Sequence, residues 1–242
     1  MAKKKTIPIK NNQTDFEKKN NLNNNNKYKN MNIKNNLILA LDVGSEKEAI
    51  DICEKVKDNI DTIKIGYPLA LAEGLEIIRK LKDIFDFKVI CDFKVADIDA
   101  TNEKICEETF KAGADAIICH GFVGPDSVQA CLDVADKYEK ELFLLTEMSH
   151  PGAKKFLQSA ADEIAKMGVE MGISNYVAPA TRLDRLQDIR NIVGKDAYII
   201  SPGVGKQGGD AKKTLEISNA IIVGRSIYEA DNPKIACENL LK

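Results

Sequence analysis

The sequence predicts an α/β protein with a single (β/α)8 TIM barrel, and two observations support this fold class. From Leu37 onward, eight short apolar runs alternate with stretches that have the apolar spacing of amphipathic helices. Each run is followed by one such stretch, which is the element order of a barrel of parallel strands surrounded by helices. A doubly wound open sheet has a similar element order and remains the alternative, because a sequence cannot show whether the sheet closes.

The eight apolar runs predict strands that are buried on both faces, as parallel strands are when helices cover them. The predicted strands are residues 37–43, 62–67, 88–94, 116–121, 142–148, 175–180, 198–204 and 220–226. The predicted helices are residues 46–56, 70–81, 102–112, 127–138, 155–171, 183–193, 211–217 and 234–241. We expect an aliphatic core, since 6% of the residues are aromatic and Trp is absent.

The first 32 residues differ in composition from the rest of the chain. They are rich in Asn and Lys and show neither the two-residue period of strands nor the 3.6-residue period of helices. We therefore expect a disordered, basic extension at residues 1–32 and a barrel domain at residues 33–242. Met31 is a second candidate for the start of translation.

Charge and cysteine usage argue against several classes of protein. The net charge is −2, but residues 1–30 contain eight lysines and two acidic residues, so the predicted barrel is acidic and not suited to nucleic acid. No apolar run reaches the roughly 18 residues of a membrane helix, and no hydrophobic region of a signal peptide is present. The six cysteines form no CxxC pair and the chain has two histidines, so we expect reduced thiols, no metal site and a cytoplasmic location.

Charged residues at the ends of the predicted strands indicate a reaction site, because reactive groups of parallel barrels gather where strands end. Alternation along a strand places Asp92 and Lys94 on one face, and Lys64 closes the preceding strand. Burying these charges as a purely structural layer would cost several kcal/mol per group, so we interpret them as functional. Other polar residues near predicted strand ends are Asp42, Asp97, His120, Glu147, Ser149, Thr181, Gln207 and Arg225.

Two segments near the end of the chain indicate a phosphate site. Residues 201–210 follow the seventh predicted strand and contain four glycines, which allow backbone N–H groups to approach an anion. Residues 224–226 close the eighth, and the Arg225 guanidinium can hold a phosphate in a forked geometry. Loops after the seventh and eighth strands are the usual phosphate site of such barrels.

Residues 92–98, with the sequence DFKVADI, resemble the D-x-K-x-x-D-I signature of the orotidine 5′-monophosphate decarboxylases. Further segments resemble motifs of that family in the expected order: LALD at 39–42, IKIG at 63–66, LTEMSHPG at 145–152, SPGV at 201–204 and VGRS at 223–226. The resemblance covers residues 37–241 and is to the compact archaeal type. It implies decarboxylation of orotidine 5′-monophosphate without a cofactor or a metal.

The resemblance also implies roles for individual residues. Lys94 would protonate the ring carbon from which carbon dioxide leaves, and Asp92 would lie against the substrate carboxylate. Lys64 and Asp42 would contact the ribose. The implied catalytic set is Lys94, Asp92, Lys64 and Asp97. The implied substrate-binding set is Asp42, Lys64, Asp92, Ile98, Thr101, Ser149, Pro202, Gly203, Gln207, Gly224 and Arg225.

The resemblance implies a homodimer as well. Asp97 and Thr101 would reach the ribose of the substrate that the neighbouring subunit binds. Ser149 and Gln207 would recognise the pyrimidine, while Gly224 and Arg225 would bind the phosphate.

Two alternatives remain at this stage. The D-x-K-x-x-D element is shared with 3-hexulose-6-phosphate synthase and 3-keto-L-gulonate-6-phosphate decarboxylase, so a magnesium-dependent phosphosugar lyase is the first, with Glu147 as a metal ligand. A barrel that binds phosphate as a sensor or scaffold, without activity, is the second.

Overall fold

A computed structural model describes residues 31–240, which form a closed barrel of eight parallel strands in the order of the sequence. The predicted TIM barrel is confirmed, and the open-sheet alternative is wrong because the first strand pairs with the eighth through Leu39 and Val223. The predicted disordered extension lies outside the described residues, apart from its last two positions.

All eight strands correspond to predicted runs, and most end earlier than predicted. Their bounds are β1 Leu37–Ala40, β2 Thr62–Gly66, β3 Lys88–Val95, β4 Ala116–His120, β5 Glu141–Leu145, β6 Asn175–Val177, β7 Tyr198–Pro202 and β8 Ala220–Val223. Several apolar residues beyond these ends belong to loops and are buried, such as Leu41 and Val43 after β1. Buried loop residues therefore extended the apolar pattern that we read as strand.

The helices cover the outside of the barrel. They are α1 Glu46–Val56, α2 Tyr67–Glu73, α3 Glu76–Phe85, α4 Asp99–Lys111, α5 Pro125–Lys137, α6 Ala153–Glu170, α7 Leu183–Val193, α8 Ala211–Leu215, α9 Arg225–Tyr228 and α10 Pro233–Leu240. The predicted helix 70–81 was wrong as a single element. Gly74, at φ 76°, ends α2 in a conformation that a residue with a Cβ rarely adopts, and α3 begins two residues later.

Local capping explains where several helices begin. The Ser45 side chain accepts a hydrogen bond from the Glu48 backbone N–H at the start of α1. The Asp210 side chain does the same for Lys213 at the start of α8. Such caps satisfy N–H groups that have no partner inside the helix, so these polar residues define the helix starts.

Alternation along the strands separates two apolar layers. In β1, Leu37 and Leu39 belong to the core between strands and helices, while Ile38 is buried but lies outside that core, on the inner side of the barrel. In β2, Ile63 belongs to the outer core, and its neighbour Lys64 lines the cavity at the barrel mouth. The alternation that places apolar side chains inside the barrel therefore also places charged side chains, such as Lys64, at its open end.

In residues 31–240, no helix is long and apolar enough to cross a membrane. All six cysteines are buried and unpaired by disulfides.

Candidate active site

Four charged side chains of alternating sign meet at the C-terminal end of the barrel. The Lys64 Nζ atom lies 2.9 Å from Asp92 Oδ2 and 3.4 Å from Asp42 Oδ1. The Lys94 Nζ atom lies 2.9 Å from Asp92 Oδ1. Asp92 therefore joins both lysines, one through each carboxylate oxygen, and the predicted cluster is present as one continuous array.

The charges in this array stabilise one another against burial. Burial has the largest effect on Lys64 and lowers its pKa, but the combined attraction of Asp92 and Asp42 outweighs it, so the pKa of Lys64 is raised. Burial likewise acts to raise the pKa of Asp92, but Lys64 and Lys94 together hold this pKa below its ordinary value. Lys64 stays an ammonium and Asp92 a carboxylate at neutral pH, which places fixed charges in a site of low dielectric.

The backbone of β3 reaches this arrangement differently from the prediction. Simple alternation should put Asp92 and Lys94 on one face, but the register of β3 against β4 shifts between Cys91 and Val95. Lys94 has φ 44° within this bulge. The side chains of Asp92 and Lys94 do meet. The cause is the bulge, which redirects Lys94, and not regular alternation along the strand.

A cavity of about 800 Å³ opens above the array. Its lining includes the apolar side chains of Ile118, Leu145, Val177 and Ile222, which belong to strands β4, β5, β6 and β8. A volume of this size is typical of sites for small molecules, and mixed apolar and charged walls fix the orientation of a ligand. The predicted residues that line it are Asp42, Lys64, Asp92, Lys94, Ser149, Pro202, Gly203, Gln207, Gly224 and Arg225.

The loop after β7 lies against the loop after β5. The Ser149 Oγ atom donates a hydrogen bond of 2.8 Å to Gln207 Oε1. Gly203 has φ 106°, and a Cβ at this position would come within 2.8 Å of the Thr181 side chain and 3.0 Å of the Ser149 Cβ atom. Glycine is therefore required for the two loops to approach this closely.

The same loop contacts α9, the short helix that follows β8. The Lys206 backbone N–H donates a hydrogen bond of 3.0 Å to Ser226 Oγ, and the Lys206 ammonium lies 3.1 Å from Glu229 Oε2. Arg225 was predicted within the eighth strand, but it is the first residue of α9 and is exposed at the cavity. Gly224 and Arg225 thus line the same cavity as the glycine-rich loop.

Three predicted residues do not line the cavity of their own chain. Asp97 and Ile98 precede α4, and Thr101 lies in its first turn. Ile98 is 64% exposed, an unusual exposure for a large apolar side chain. The Asp97 backbone N–H donates to Asn102 Oδ1, and Asp97 Oδ1 accepts from the Ile98 N–H. This segment faces outward, so its predicted roles stay predictions.

Glu147 is not arranged as a metal ligand. Its carboxylate is fully buried and is held by Arg182 at 2.9 Å and by Arg185 at 3.3 Å. In the described part of the chain, no group of three or more His, Cys, Asp or Glu side chains is placed to hold a metal ion.

Sequence reasoning missed several cavity residues. Arg182 lines the cavity, and its Nη1 atom donates one hydrogen bond of 3.3 Å to the Ser149 carbonyl in the loop after β5. Tyr228, His150 and Lys154 also line the cavity. Arg182 follows Thr181, which lies near a predicted strand end, so the polar pair after β6 was an available signal. Tyr228 is three residues beyond Arg225 on α9, and no sequence signal marks it.

Known proteins match this chain over nearly the whole barrel. A family model described as "Orotidine 5'-phosphate decarboxylase / HUMPS family" matches residues 35–240. An orotidine 5'-phosphate decarboxylase of Methanosphaera stadtmanae is 61% identical over 212 residues, which are 88% of this chain and 98% of the relative. One from Methanosarcina mazei is 56% identical over 204 residues, covering 84% and 92%.

A solved structure is also similar. The orotidine 5'-monophosphate decarboxylase of Methanocaldococcus jannaschii, complexed with the inhibitor BMP, superposes with a TM-score of 0.81 at 50% identity, covering 85% of this chain and 96% of that one. The phosphosugar-lyase alternative is not favoured, because these relatives carry the decarboxylase name and Glu147 is held by two arginines. With its family model, its relatives and its charged array in agreement, this chain belongs to the orotidine 5'-phosphate decarboxylase / HUMPS family.

Proposed function

We propose that the protein converts orotidine 5′-monophosphate to uridine 5′-monophosphate and carbon dioxide, and so acts in pyrimidine biosynthesis. The observation that carries the proposal is the array in which Asp92 joins Lys64 and Lys94 beneath the cavity. The names of the relatives with 50–61% identity give the same substrate.

The proposed reaction breaks the bond between ring carbon C6 and its carboxylate. The electron pair of that bond stays on C6, carbon dioxide leaves, and Lys94 gives a proton from Nζ to C6. The pyrimidine ring has no electron sink for this charge, so a cation must stand beside C6 before the charge develops. Two unit charges about 4 Å apart interact by roughly 4 kcal/mol at an effective dielectric of 20, which contributes but is not sufficient alone.

The remaining stabilisation comes from binding the parts of the substrate that do not react. Asp42 and Lys64 contact the ribose, and Ser149 and Gln207 recognise the pyrimidine. The Ser149–Gln207 hydrogen bond supports this assignment, because it links the two loops across the cavity mouth. Contacts to the pyrimidine and the phosphate can therefore stabilise the same closed arrangement.

The phosphate is held by the loop after β7 together with the start of α9. Pro202 and Gly203 belong to the first part of this site, and Gly224 and Arg225 to the second. The guanidinium of Arg225 is exposed at the cavity, where it can form two parallel hydrogen bonds with phosphate oxygens.

We further propose that the active unit is a homodimer in the cytoplasm. Asp97, Ile98 and Thr101 would complete the site of the neighbouring subunit, which agrees with their position outside the cavity of their own chain. The unpaired, buried thiols agree with a reducing compartment.

The activity is tested by following the loss of orotidine 5′-monophosphate absorbance with purified protein in the presence of EDTA. We expect full activity with EDTA, and none for Lys94→Ala. Lys166→Ala is the control, because Lys166 is an exposed lysine on α6 whose partner is Glu163, three residues earlier. Inhibition by EDTA would support a metal-dependent lyase, and ligand binding without turnover would support an inactive barrel; either result overturns the proposal.

The shared site is tested by mixing two inactive variants, Lys94→Ala and Asp97→Ala. A hybrid dimer would contain one intact site, with Lys94 from one chain and Asp97 from the other. Random exchange would then restore about a quarter of wild-type activity. No recovery after confirmed subunit exchange, or full activity of a monomer in light scattering, would contradict the shared site.

A further inference from the structure

The backbone of Lys94 is held in an unfavourable conformation. Its φ of 44° lies in the left-handed region, where the Cβ of an L-residue crowds the neighbouring carbonyl oxygen. Among the described residues, the other non-glycine positions with positive φ, which include Asp86 and Glu139, lie outside the strands. Strain inside a strand persists only where the surroundings enforce it.

The strain coincides with the bulge in β3. Cys91 pairs with Ile117 and Val95 pairs with Cys119, so four steps along β3 correspond to two along β4. On the other side, β3 stays in register with β2 up to the pair Gly66 and Asp92. The extra length of β3 therefore begins directly after Asp92, at Phe93 and Lys94.

The Tyr67 side chain contacts the bulge of β3 at Phe93. Tyr67 follows the last paired residue of β2, and its hydroxyl donates a hydrogen bond of 2.6 Å to the Phe93 carbonyl. That carbonyl belongs to the peptide group that precedes Lys94, so it moves with the φ of Lys94. The Tyr67 ring also stacks on the Phe93 ring, with centroids 5.5 Å apart and planes 22° apart.

Tyr67 acts on this peptide group and not on the ligand, because it is not among the residues that line the cavity. Burial and the nearby charge of Asp92 raise its pKa, so the hydroxyl remains a donor at neutral pH. We propose that Tyr67 is a positioning residue for Lys94: its hydrogen bond to the Phe93 carbonyl keeps the bulge in the conformation that aims the ammonium at Asp92 and at the reacting carbon. The expected change in the rate of decarboxylation rests on the proposed function. The expected change in the backbone and side chain of Lys94 does not.

The test compares Tyr67→Phe, which keeps the ring and removes the hydroxyl, with Tyr67→Leu, which removes both contacts. For Tyr67→Phe we expect the single-turnover rate of decarboxylation to fall about three- to tenfold, as loss of one neutral hydrogen bond allows, with KM changed less than about twofold. Tyr67→Leu should be slower still. Tyr138→Phe is the matched control, because Tyr138 also packs against a phenylalanine ring, Phe110, at 5.9 Å.

A crystal structure of Tyr67→Phe supplies a readout that does not need activity. We expect Lys94 to leave the φ of 44° or its Nζ atom to move away from its 2.9 Å contact with Asp92. A wild-type protein that does not decarboxylate orotidine 5′-monophosphate would refute the proposed function, and the structure would then decide the role of Tyr67 alone. An unchanged rate in Tyr67→Phe, or a structure in which both the Lys94 φ and the contact of its Nζ atom with Asp92 are unchanged, would refute the positioning role.

Discussion

Replacing Asp92 by Asn tests the electrostatic role of the array most directly. The side chains have nearly the same shape, so the change removes a charge and little else. Asp92 is the carboxylate that contacts both Lys64 and Lys94, each at 2.9 Å, and its side chain is 10% exposed. Without this carboxylate, the two ammonium groups face one another. Lys64 then retains Asp42, at 3.4 Å, as its carboxylate partner.

The cost to the free protein can be approximated from this geometry. Removing one partner of a buried ion pair costs about 3–5 kcal/mol. The remaining Asp42 contact and the 33% exposure of the Lys94 side chain reduce that cost, so we expect a loss of roughly 3 kcal/mol in the free energy of unfolding. Urea titration without ligand measures this value.

The affinity for orotidine 5′-monophosphate and the rate of its decarboxylation should then respond differently to Asp92→Asn. The family resemblance implies that Asp92 faces the substrate carboxylate. On that premise the variant lacks the repelling charge, so orotidine 5′-monophosphate should bind at least as tightly as it does to the wild type. The single-turnover rate should fall by about 100-fold or more, because Lys94 loses the charge that orients it. The product, uridine 5′-monophosphate, lacks the carboxylate and is the control ligand.

Four outcomes distinguish the contributions of Asp92. Tighter binding of substrate with unchanged binding of product would support repulsion of the substrate carboxylate. Unchanged binding of both ligands with a slower rate would assign Asp92 to holding the lysines. Weaker binding of substrate would contradict the repulsion that we assume, and a near-normal rate would refute the array as the source of catalysis.

Three further predictions concern other buried or exposed charges. Burial lowers the pKa of His120 to about 4, so the unfolded chain takes up a proton between about pH 6.5 and 4 that the folded protein does not. Stability should fall by at most about 3 kcal/mol over this window as pH drops, and urea titrations should show a shallower fall for His120→Gln; equal slopes would contradict this. Glu147→Gln should lower the free energy of unfolding by about 3 kcal/mol, because it leaves Arg182 and Arg185 without their shared carboxylate, and a loss below about 1 kcal/mol would show that the arginines find other partners. Arg225→Ala should lower kcat/KM for orotidine 5′-monophosphate by about 100-fold but barely affect the nucleoside orotidine, and an equal loss for both would contradict phosphate binding.

The sequence was sufficient to predict the barrel because the period of the apolar residues changes from strand to helix eight times. It was less informative about where elements end. Leu41 and Val43 are as buried in a loop as strand residues are, so burial alone extends the apparent strand. The break at Gly74 lies in a helical pattern that continues on both sides, and only the backbone conformation separates α2 from α3.

The charged array was predictable because strand ends bring distant residues together in a barrel. Lys64 and Asp92 are neighbours through the pairing of β2 with β3, which the order of strands implies. The bulge was not predictable, because its signal is a register difference between strands and a positive φ at Lys94, a residue type with no preference for that region. The contact between Ser149 and Gln207 depends on the shapes of two loops, which no period describes.

The geometry of the array suggests why its charges can be assembled before a ligand arrives. Lys64 and Asp92 lie on paired strands, so the ladder between β2 and β3 fixes the distance between them. Each lysine has a carboxylate partner and the four charges sum to zero, which limits the cost of burying them during folding. The energy of binding a substrate then does not have to be used to bring these groups together. It can instead act on the loops after β5 and β7, which contact each other through Ser149 and Gln207, while the barrel already holds the charged groups in place.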